Sequence, residues 1–218
     1  MALLENADAL ESWADGAHLV LIDIPIGLLD GGREERLCDR AARRRLGRPR
    51  ASSVFRAPAR PALQARDYAS ANAFNRHATG VGLSRQGFGI TAKIAAVDAL
   101  LRQRQRRGSP LRESHPEVCF QALNGGQAMR HNKKTAAGRA ERRRTLSVHL
   151  ASANDILETA LDRYRRTELA HDDILDALVL AVSARLGAKQ PHRLHCMPAQ
   201  PPCDSQGLPM EIVYACPT

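Results

Sequence analysis

The chain has 218 residues, of which 44% are apolar and 25% are charged. These values are typical of a folded globular protein, and they exclude a wholly disordered chain, a collagen-like rod and a long coiled coil. Lys and Arg outnumber Asp and Glu by 32 to 23, which gives a formal net charge of +9. This charge favours a polyanionic partner such as nucleic acid, although a solvated basic surface in an Arg-rich chain also explains it.

Cysteine usage and apolar run lengths indicate the compartment. The five cysteines are odd in number and scattered, so they predict free thiols in a reducing environment rather than a disulfide framework. The N-terminal segment carries acids and no basic residue, unlike a secretory signal peptide. The longest apolar run, around residues 177–184, is far shorter than the ~18 residues that span a bilayer. We therefore expect a soluble, cytoplasmic protein with no membrane partner.

The spacing of apolar residues and of turn residues predicts helices and strands of an α/β fold. Helices are predicted over residues 3–14, 33–46, 62–78, 90–107, 135–150, 153–166 and 171–187. Strands are predicted over residues 18–24, 113–123 and 210–215. Residues 47–61 are a predicted basic loop, and residues 188–209 a Pro-rich connection to the last strand. We expect one domain over residues 1–218, with its core in residues 17–187.

Asp23 interrupts the otherwise apolar run from His18 to Ile24. A carboxylate inside a buried strand must be paired, hydrogen-bonded or bound to a metal, because an unpaired buried charge is costly. Alternatively, since Pro25 shows that the strand ends nearby, Asp23 caps the following turn. The carboxyl end of a strand is also the place where ligands bind in open α/β sheets.

Three acids open the strongest of the predicted helices. Asp172 and Asp173 have a simple explanation as first-turn acids that the helix dipole favours. Asp176 lies beyond the capping positions, and its spacing places it on the same side of the helix as the other two. Such a group of carboxylates is what a hard divalent cation requires, and a solvated acidic helix start is the alternative.

A further acidic segment belongs to the predicted second strand. The alternation of a strand would place Glu113, His115 and Glu117 on one face, provided that Pro116 lies at an edge or a bulge. Two-metal phosphodiesterases need three or four carboxylates from different elements to hold two cations ~4 Å apart. The acids of the two strands and the last helix together indicate such a site.

Two basic clusters are candidates for binding phosphates. The candidate residues are Arg48, Arg50, Ser53 and Arg56 in the loop, and Lys133, Lys134 and Arg139 near the helix at 135–150. A solvated helix face is the alternative. Aromatic residues make up only 4% of the chain, so base-stacking platforms for single strands are poorly supplied.

Eight short segments occur in an order that is found in a known family. They are Leu21–Leu28, Cys38–Arg43, Ser52–Pro58, Leu83–Phe88, His115–Phe120, Leu123–Gly126, Lys133–Arg139 and Asp172–Ala177. In these segments the chain resembles the family named domain of unknown function 429, over about residues 19–215. The resemblance implies a ribonuclease H-like mixed sheet flanked by helices, similar in plan to Holliday-junction resolvases. It also implies nucleic-acid cleavage that depends on Mg²⁺ or Mn²⁺.

The resemblance also implies which residues bind the metal. Asp23 matches the family's acid at the end of the central strand, Glu117 its acid after His-Pro, and Asp173 and Asp176 its acids in the last helix. This set agrees with the acids that the residue patterns single out.

The chain departs from the family pattern at its N-terminus. Members begin with a strand that ends in an Asp-Gly turn and leads into a hairpin, and this chain begins after them. In ribonuclease H-like enzymes that first Asp bridges the metals. We therefore expect an N-terminally incomplete sheet with an exposed apolar edge, through which the chain could form a homo-oligomer. Either the true start codon lies upstream of Met1, or the chain is poorly stable and prone to associate.

Two functions from different classes follow from these features. The first is a divalent-metal-dependent nuclease that hydrolyses phosphodiester bonds of DNA or RNA. The alternative is a non-catalytic nucleic-acid-binding or interaction module, a degenerate or truncated member of the family. A sugar- or nucleotide-handling protein on the actin-like fold ranks last, because the sequence has no phosphate-binding glycine loop. The nuclease needs a divalent cation, whereas the module would bind with a steep salt dependence and no cleavage.

Overall fold

Nine helices and four short strands make up the part of the chain that the structure, a computed structural model, describes: residues 2, 4, 7–104 and 108–217. The helices are α1 (Ala7–Ala14), α2 (Leu37–Arg50), α3 (Tyr68–Thr79), α4 (Arg85–Gly89), α5 (Thr91–Arg104), α6 (Pro116–Leu123), α7 (Ala136–His149), α8 (Ala153–Arg163) and α9 (His171–Lys189). The strands are β1 (Val20–Ile22), β2 (Leu111–Glu113), β3 (Leu194–Met197) and β4 (Ile212–Ala215). The fold is therefore mixed α/β, as predicted.

The four strands form two pairs that a single bridge connects. β1 and β2 are parallel, with Val20 opposite Leu111, whereas β3 and β4 are antiparallel. A parallel bridge between Ser114 and Val213 joins β2 to β4. Among the described residues, β1 has β2 as its strand partner and no strand on its other edge. Association through that edge stays a prediction.

The main core lies between the sheet and the helices of the C-terminal half. It is built on α2, α6, α7, α8, α9 and β4, and α9 crosses both β1 and β4. Its most deeply buried apolar residues include Phe120, Leu146, Ile174, Val179 and Ile212. The burial of β4 corrects the predicted core, which ended at residue 187. The last strand completes the core rather than following it.

Most predicted helices are confirmed within a few residues of their observed bounds. The first predicted helix included residues 3, 5 and 6, and the helix at 90–107 included residues 105–107, all of which lie outside the described residues. The basic loop at 47–61 is more regular than predicted. α2 continues to Arg50 through a break at Gly47, and two short 3-10 turns follow, over Ala51–Ser53 and Arg60–Gln64.

The predicted strand at 113–123 is wrong beyond Glu113, because α6 begins at Pro116. Proline is well suited to the first position of a helix, where its missing N–H has no hydrogen bond to make, and Glu117 is a favourable first-turn acid. The strand β3 within the Pro-rich connection was not predicted. It exists because it pairs with β4 over four residues, a contact that the local sequence does not show.

None of the helices that the structure describes combines the length and apolar character needed to cross a bilayer.

Candidate metal centre

The carboxyl ends of β1 and β2 lie side by side because the two strands are parallel. Asp23 directly follows β1, and Ser114 and His115 directly follow β2. The Ser114 N–H donates to the carbonyl of Ile22 at 2.9 Å, which holds the two strand ends together. This is the edge at which open α/β sheets bind ligands.

Glu117 reaches the same region from the first turn of α6, not from a strand as predicted. One of its carboxylate oxygens, Oε1, accepts a hydrogen bond from Arg142, whose side chain is fully buried. The Arg142 guanidinium also donates to the carbonyls of His131 and Gly138, at 3.1 Å each. The second oxygen of Glu117, Oε2, is buried and has no hydrogen-bond partner in the described part of the chain.

The acids of α9 face a lysine from the connection between α6 and α7. Lys133 Nζ lies 2.6 Å from Oδ2 of Asp176 and 3.7 Å from Oδ2 of Asp172. Asp176 is buried, and its Oδ1 has no partner among the described residues. Asp173, on the same turn, is exposed. The three acids predicted at the start of this helix therefore differ: Asp172 and Asp176 face Lys133, whereas Asp173 is open to solvent.

The charges of these residues act on one another. Burial raises the pKa of Asp176 to about 6, the ammonium of Lys133 opposes this rise, and the charges of Asp23 and Glu117 add to it. Desolvation by surrounding protein also raises the pKa of Asp23, although this residue is open to solvent on one side, and His115 and Lys133 oppose the rise. Partial burial alone would lower the pKa of Lys133, but the nearby acids raise it. The acids of three elements therefore share one electrostatic environment.

His115 contributes another polar atom to this environment. Its Nε2 lies 3.3 Å from the carbonyl oxygen of Ser53. Because a carbonyl only accepts hydrogen bonds, this contact favours the tautomer with the proton on Nε2. Nδ1 then carries a lone pair, and it is buried without a partner in the described structure.

The donor set fits a hard divalent cation. Buried carboxylate oxygens without partners, Glu117 Oε2 and Asp176 Oδ1, are suitable ligands for Mg²⁺ or Mn²⁺. All four predicted ligands lie in the described part of the chain, but no three of them bring ligand atoms within 4.8 Å of one another. Side-chain rotation is therefore needed before three of these groups could share one cation.

A different group of potential ligands, Cys38, Asp39 and Glu113, does lie within 4.8 Å and is buried. Arg36 provides its positive charge, donating to Asp39 at 2.6 and 3.1 Å and to Glu113 at 2.7 and 2.8 Å. The N–H of Ile26 donates to Glu113 at 2.6 Å. Burial raises the pKa of Glu113. Burial alone would lower the pKa of Arg36, but the charges of Asp39 and Glu113 raise it well above its usual value. A cation would have to displace the buried guanidinium, so this cluster anchors the segment after β1 to β2.

Three of the four phosphate-binding candidates in the loop make contacts within the protein. Arg50 donates to two carbonyls of the α6–α7 connection at 2.8 Å each. Arg56 donates to carbonyls of the segment before α2, the shortest bond being 2.9 Å. The Ser53 hydroxyl donates to the Arg50 carbonyl at 2.7 Å. Arg48 is exposed, and its side chain makes no hydrogen bond to any described residue.

The candidates near α7 lie around a tight turn. Arg139 donates to the carbonyl of Lys134 at 2.7 Å, whereas the side chain of Lys134 is exposed. The hydroxyl of Thr135 caps α7 by accepting from the N–H of Gly138 at 3.0 Å. A Cβ atom at Gly138 would lie 1.9 Å from the carbonyl oxygen of Asn132. Only glycine therefore allows the start of α7 to approach this turn so closely.

The role of Arg142 is the main feature that the sequence did not reveal, since Arg142 is one of four arginines between residues 139 and 144. The structure buries it completely against Glu117. A signal was present in its spacing. Arg142 lies four residues after Gly138 and four before Leu146, which puts it on the buried face of α7.

The family comparison covers all of these residues. A family model described as "Protein of unknown function (DUF429)" matches residues 2–202, which include every acid of the candidate centre. Comparison with curated proteins and with solved structures found no match. The matched range is most of the chain, and it agrees with the eight ordered segments found in the sequence. The chain therefore belongs to the family described as "Protein of unknown function (DUF429)".

Proposed function

We propose that the protein is a divalent-metal-dependent nuclease that hydrolyses phosphodiester bonds of DNA or RNA. The observation that carries this proposal is the pair of buried oxygens without partners, Glu117 Oε2 and Asp176 Oδ1, near the sheet edge that Asp23 occupies. A buried acceptor without a partner is costly, and a bound cation would satisfy both oxygens. The basic net charge supports nucleic acid as the polyanion.

In this proposal Asp23, Glu117, Asp173 and Asp176 hold Mg²⁺ or Mn²⁺. The bound cation would orient and acidify the attacking water and stabilise the leaving oxygen. Arg142 acts only through Glu117, because its buried guanidinium fixes one carboxylate oxygen and leaves the other free.

The ribonuclease H-like fold and the cytoplasmic location belong to the same proposal. The fold assignment is supported by the parallel pair β1–β2, its bridge to the antiparallel pair β4–β3, and the crossing helix α9, which brings its acids towards the end of β1.

The test is cleavage of labelled single-stranded, duplex, hybrid and junction substrates in Mg²⁺, Mn²⁺ or EDTA. We expect cleavage in the presence of a cation, none in EDTA, and a loss of about 100-fold or more in Asp176→Asn. Asp155→Asn is the matched control, since Asp155 is exposed on α8 and its carboxylate makes no bond within the described structure. Cleavage that persists in EDTA, or in Asp176→Asn, would contradict the proposal.

One observation favours the alternative, a non-catalytic nucleic-acid-binding module. Lys133 and Arg142 already neutralise Asp176 and Glu117, so the acids have partners without a cation. Such a module would bind the same substrates in EDTA and would leave them intact in Mn²⁺. The cleavage experiment therefore separates the two functions.

A further inference from the structure

A cleft of about 410 Å³ lies between α7 and the connection that precedes it. α7 lines it with Glu141, Arg144, Thr145 and Val148. Their spacing of three, four and seven residues places them on one face of the helix. The connection contributes Arg130 and His131.

The cleft presents two arginines that have no partner. Arg130 and Arg144 are exposed, and their side chains form no hydrogen bond or ion pair with any described residue. Glu141, the acidic residue of the lining, uses its two oxygens to accept from the backbone N–H groups of Arg130 and His131, at 2.9 and 3.0 Å. Both oxygens are therefore engaged with the backbone, and the two arginines outweigh the one negative charge of the lining, so the cleft can attract an anion.

Hydrogen bonds and a short stretch of chain connect the cleft to the candidate metal centre. The carbonyl of His131 accepts from Arg142 at 3.1 Å, and the same guanidinium pairs with Glu117. Lys133, which pairs with Asp176, follows His131 by two residues. Two residues of extended chain span at most about 7 Å, so cleft and centre are neighbours.

The opposite side of the connection is fixed by α2. Arg50 donates to the carbonyls of Met129 and Arg130 at 2.8 Å each. Arg50 was predicted to contact phosphates directly. In the structure it holds the backbone of Arg130 instead, which leaves the Arg130 side chain free to face the cleft.

We propose that this cleft binds the sugar-phosphate backbone of the nucleic acid next to the bond that the metal centre would cut. The inference rests on the proposed function and names a binding surface for its substrate. Arginine forks are suited to phosphate oxygens, and backbone contacts position a strand without reading its sequence. The described lining has no Phe, Tyr or Trp side chain, and His131 supplies its one ring, so base stacking is limited and we expect binding to depend little on base sequence.

The test is fluorescence anisotropy with labelled single-stranded and duplex oligonucleotides in EDTA, over a series of salt concentrations. The variant is Arg130→Ala/Arg144→Ala. The matched control is Arg185→Ala/Lys189→Ala, which removes the same charge from exposed residues at the other end of α9. That end lies roughly 20–25 Å from Asp172 along the helix. Thermal unfolding of each variant verifies that it is folded.

We expect the cleft variant to bind about tenfold more weakly than the control, and the slope of log K against log salt to become less negative by about 2. Unlabelled oligonucleotide should displace the probe, whereas a mononucleotide at the same phosphate concentration should not. Equal binding by the cleft variant and the control would overturn the inference and leave the nuclease proposal standing. Tight mononucleotide binding in the cleft would also overturn it. If the wild-type protein binds no oligonucleotide, the inference and the substrate class of the proposed function both fail.

Discussion

The ammonium of Lys133 lies 2.6 Å from Oδ2 of Asp176 and extends to Asp172 at 3.7 Å. The ammonium of Lys133 thus lies among the acids at the start of α9, where a metal cation would otherwise bind. Lys133 is about one-third exposed, whereas Arg142 is fully buried. The lysine is the partner that a cation could displace without opening the core.

Replacement of Lys133 should therefore strengthen cation binding. We expect Lys133→Met to bind Mn²⁺ about tenfold more tightly than the wild-type protein, because a competing positive charge is removed from the acids. Isothermal titration calorimetry measures this affinity. Lys134→Met serves as control, since Lys134 is exposed and makes no contact with the acids of the described structure. Unchanged or weaker Mn²⁺ binding in Lys133→Met would show that the lysine does not compete with the cation.

The stability of the metal-free protein should depend on pH through Asp176. Its pKa is about 6 in the fold against an ordinary value of 3.8, so the folded protein binds this proton more tightly than the unfolded chain. The stabilisation is complete below pH 3.8 and is lost as the pH rises through about 6. Asp176→Asn imitates the protonated acid. Urea unfolding in EDTA should show the wild-type protein losing up to about 3 kcal/mol between pH 4 and 7 relative to this variant. Parallel pH profiles would contradict the assignment.

The buried pair of Arg142 and Glu117 predicts a non-additive pair of variants. Arg142→Met should reduce the free energy of unfolding by about 3–5 kcal/mol, because it leaves Glu117 buried beside no positive charge. Arg142→Met/Glu117→Gln should recover much of this loss, since the charge is then removed. Recovery of stability without recovery of Mn²⁺ binding is the expected result. Equal unfolding free energies for the single and double variants would show that the pair is not coupled.

The cysteines should divide into two classes towards Ellman's reagent. Cys203 is exposed and Cys196 and Cys216 are half-buried, whereas Cys38 and Cys119 are fully buried. Burial also raises the pKa of Cys119 to about 11 and that of Cys38 further, which suppresses their reactive thiolates. We expect three thiols to react in the native protein and two more only after unfolding. Cys203→Ser should remove one of the three, and rapid reaction of all five thiols would contradict the described burial.

The sequence predicts a helix well where the helix buries one face, because the apolar residues of that face recur at helical spacing. α5, α7 and α8 are recognisable because their buried residues recur at helical spacing, whereas α9 is recognisable from its long, almost entirely apolar sequence. The segment after Glu113 was wrongly predicted as a strand because its polar residues alternate. Pro116 and Glu117 instead favour the start of a helix. β3 is defined by its pairing with β4, and such distant pairing leaves little local signal.

The acids were easier to predict than their partners. Asp23, Glu117 and Asp176 are conspicuous as acids among apolar residues, and they are brought into one environment even though the element of Glu117 was predicted wrongly. The basic residues offered no such contrast. Arg142 is buried, Arg50 supports a loop and Arg144 faces a cleft, yet all three belong to arginine-rich segments. Which arginine takes which role depends on packing between helices that are distant in sequence.

The close approach at Gly138 makes the position of Lys133 depend on the residue at position 138. Even a methyl group at this position would strike the carbonyl of Asn132, whose chain neighbour is Lys133. A mutation there would first shift the backbone that carries the lysine, although it changes no charge and no acid. Only synonymous changes in the codon of Gly138 therefore leave Lys133 in its place. A mutation can thus damage the acidic site from a position that does not contact its acids.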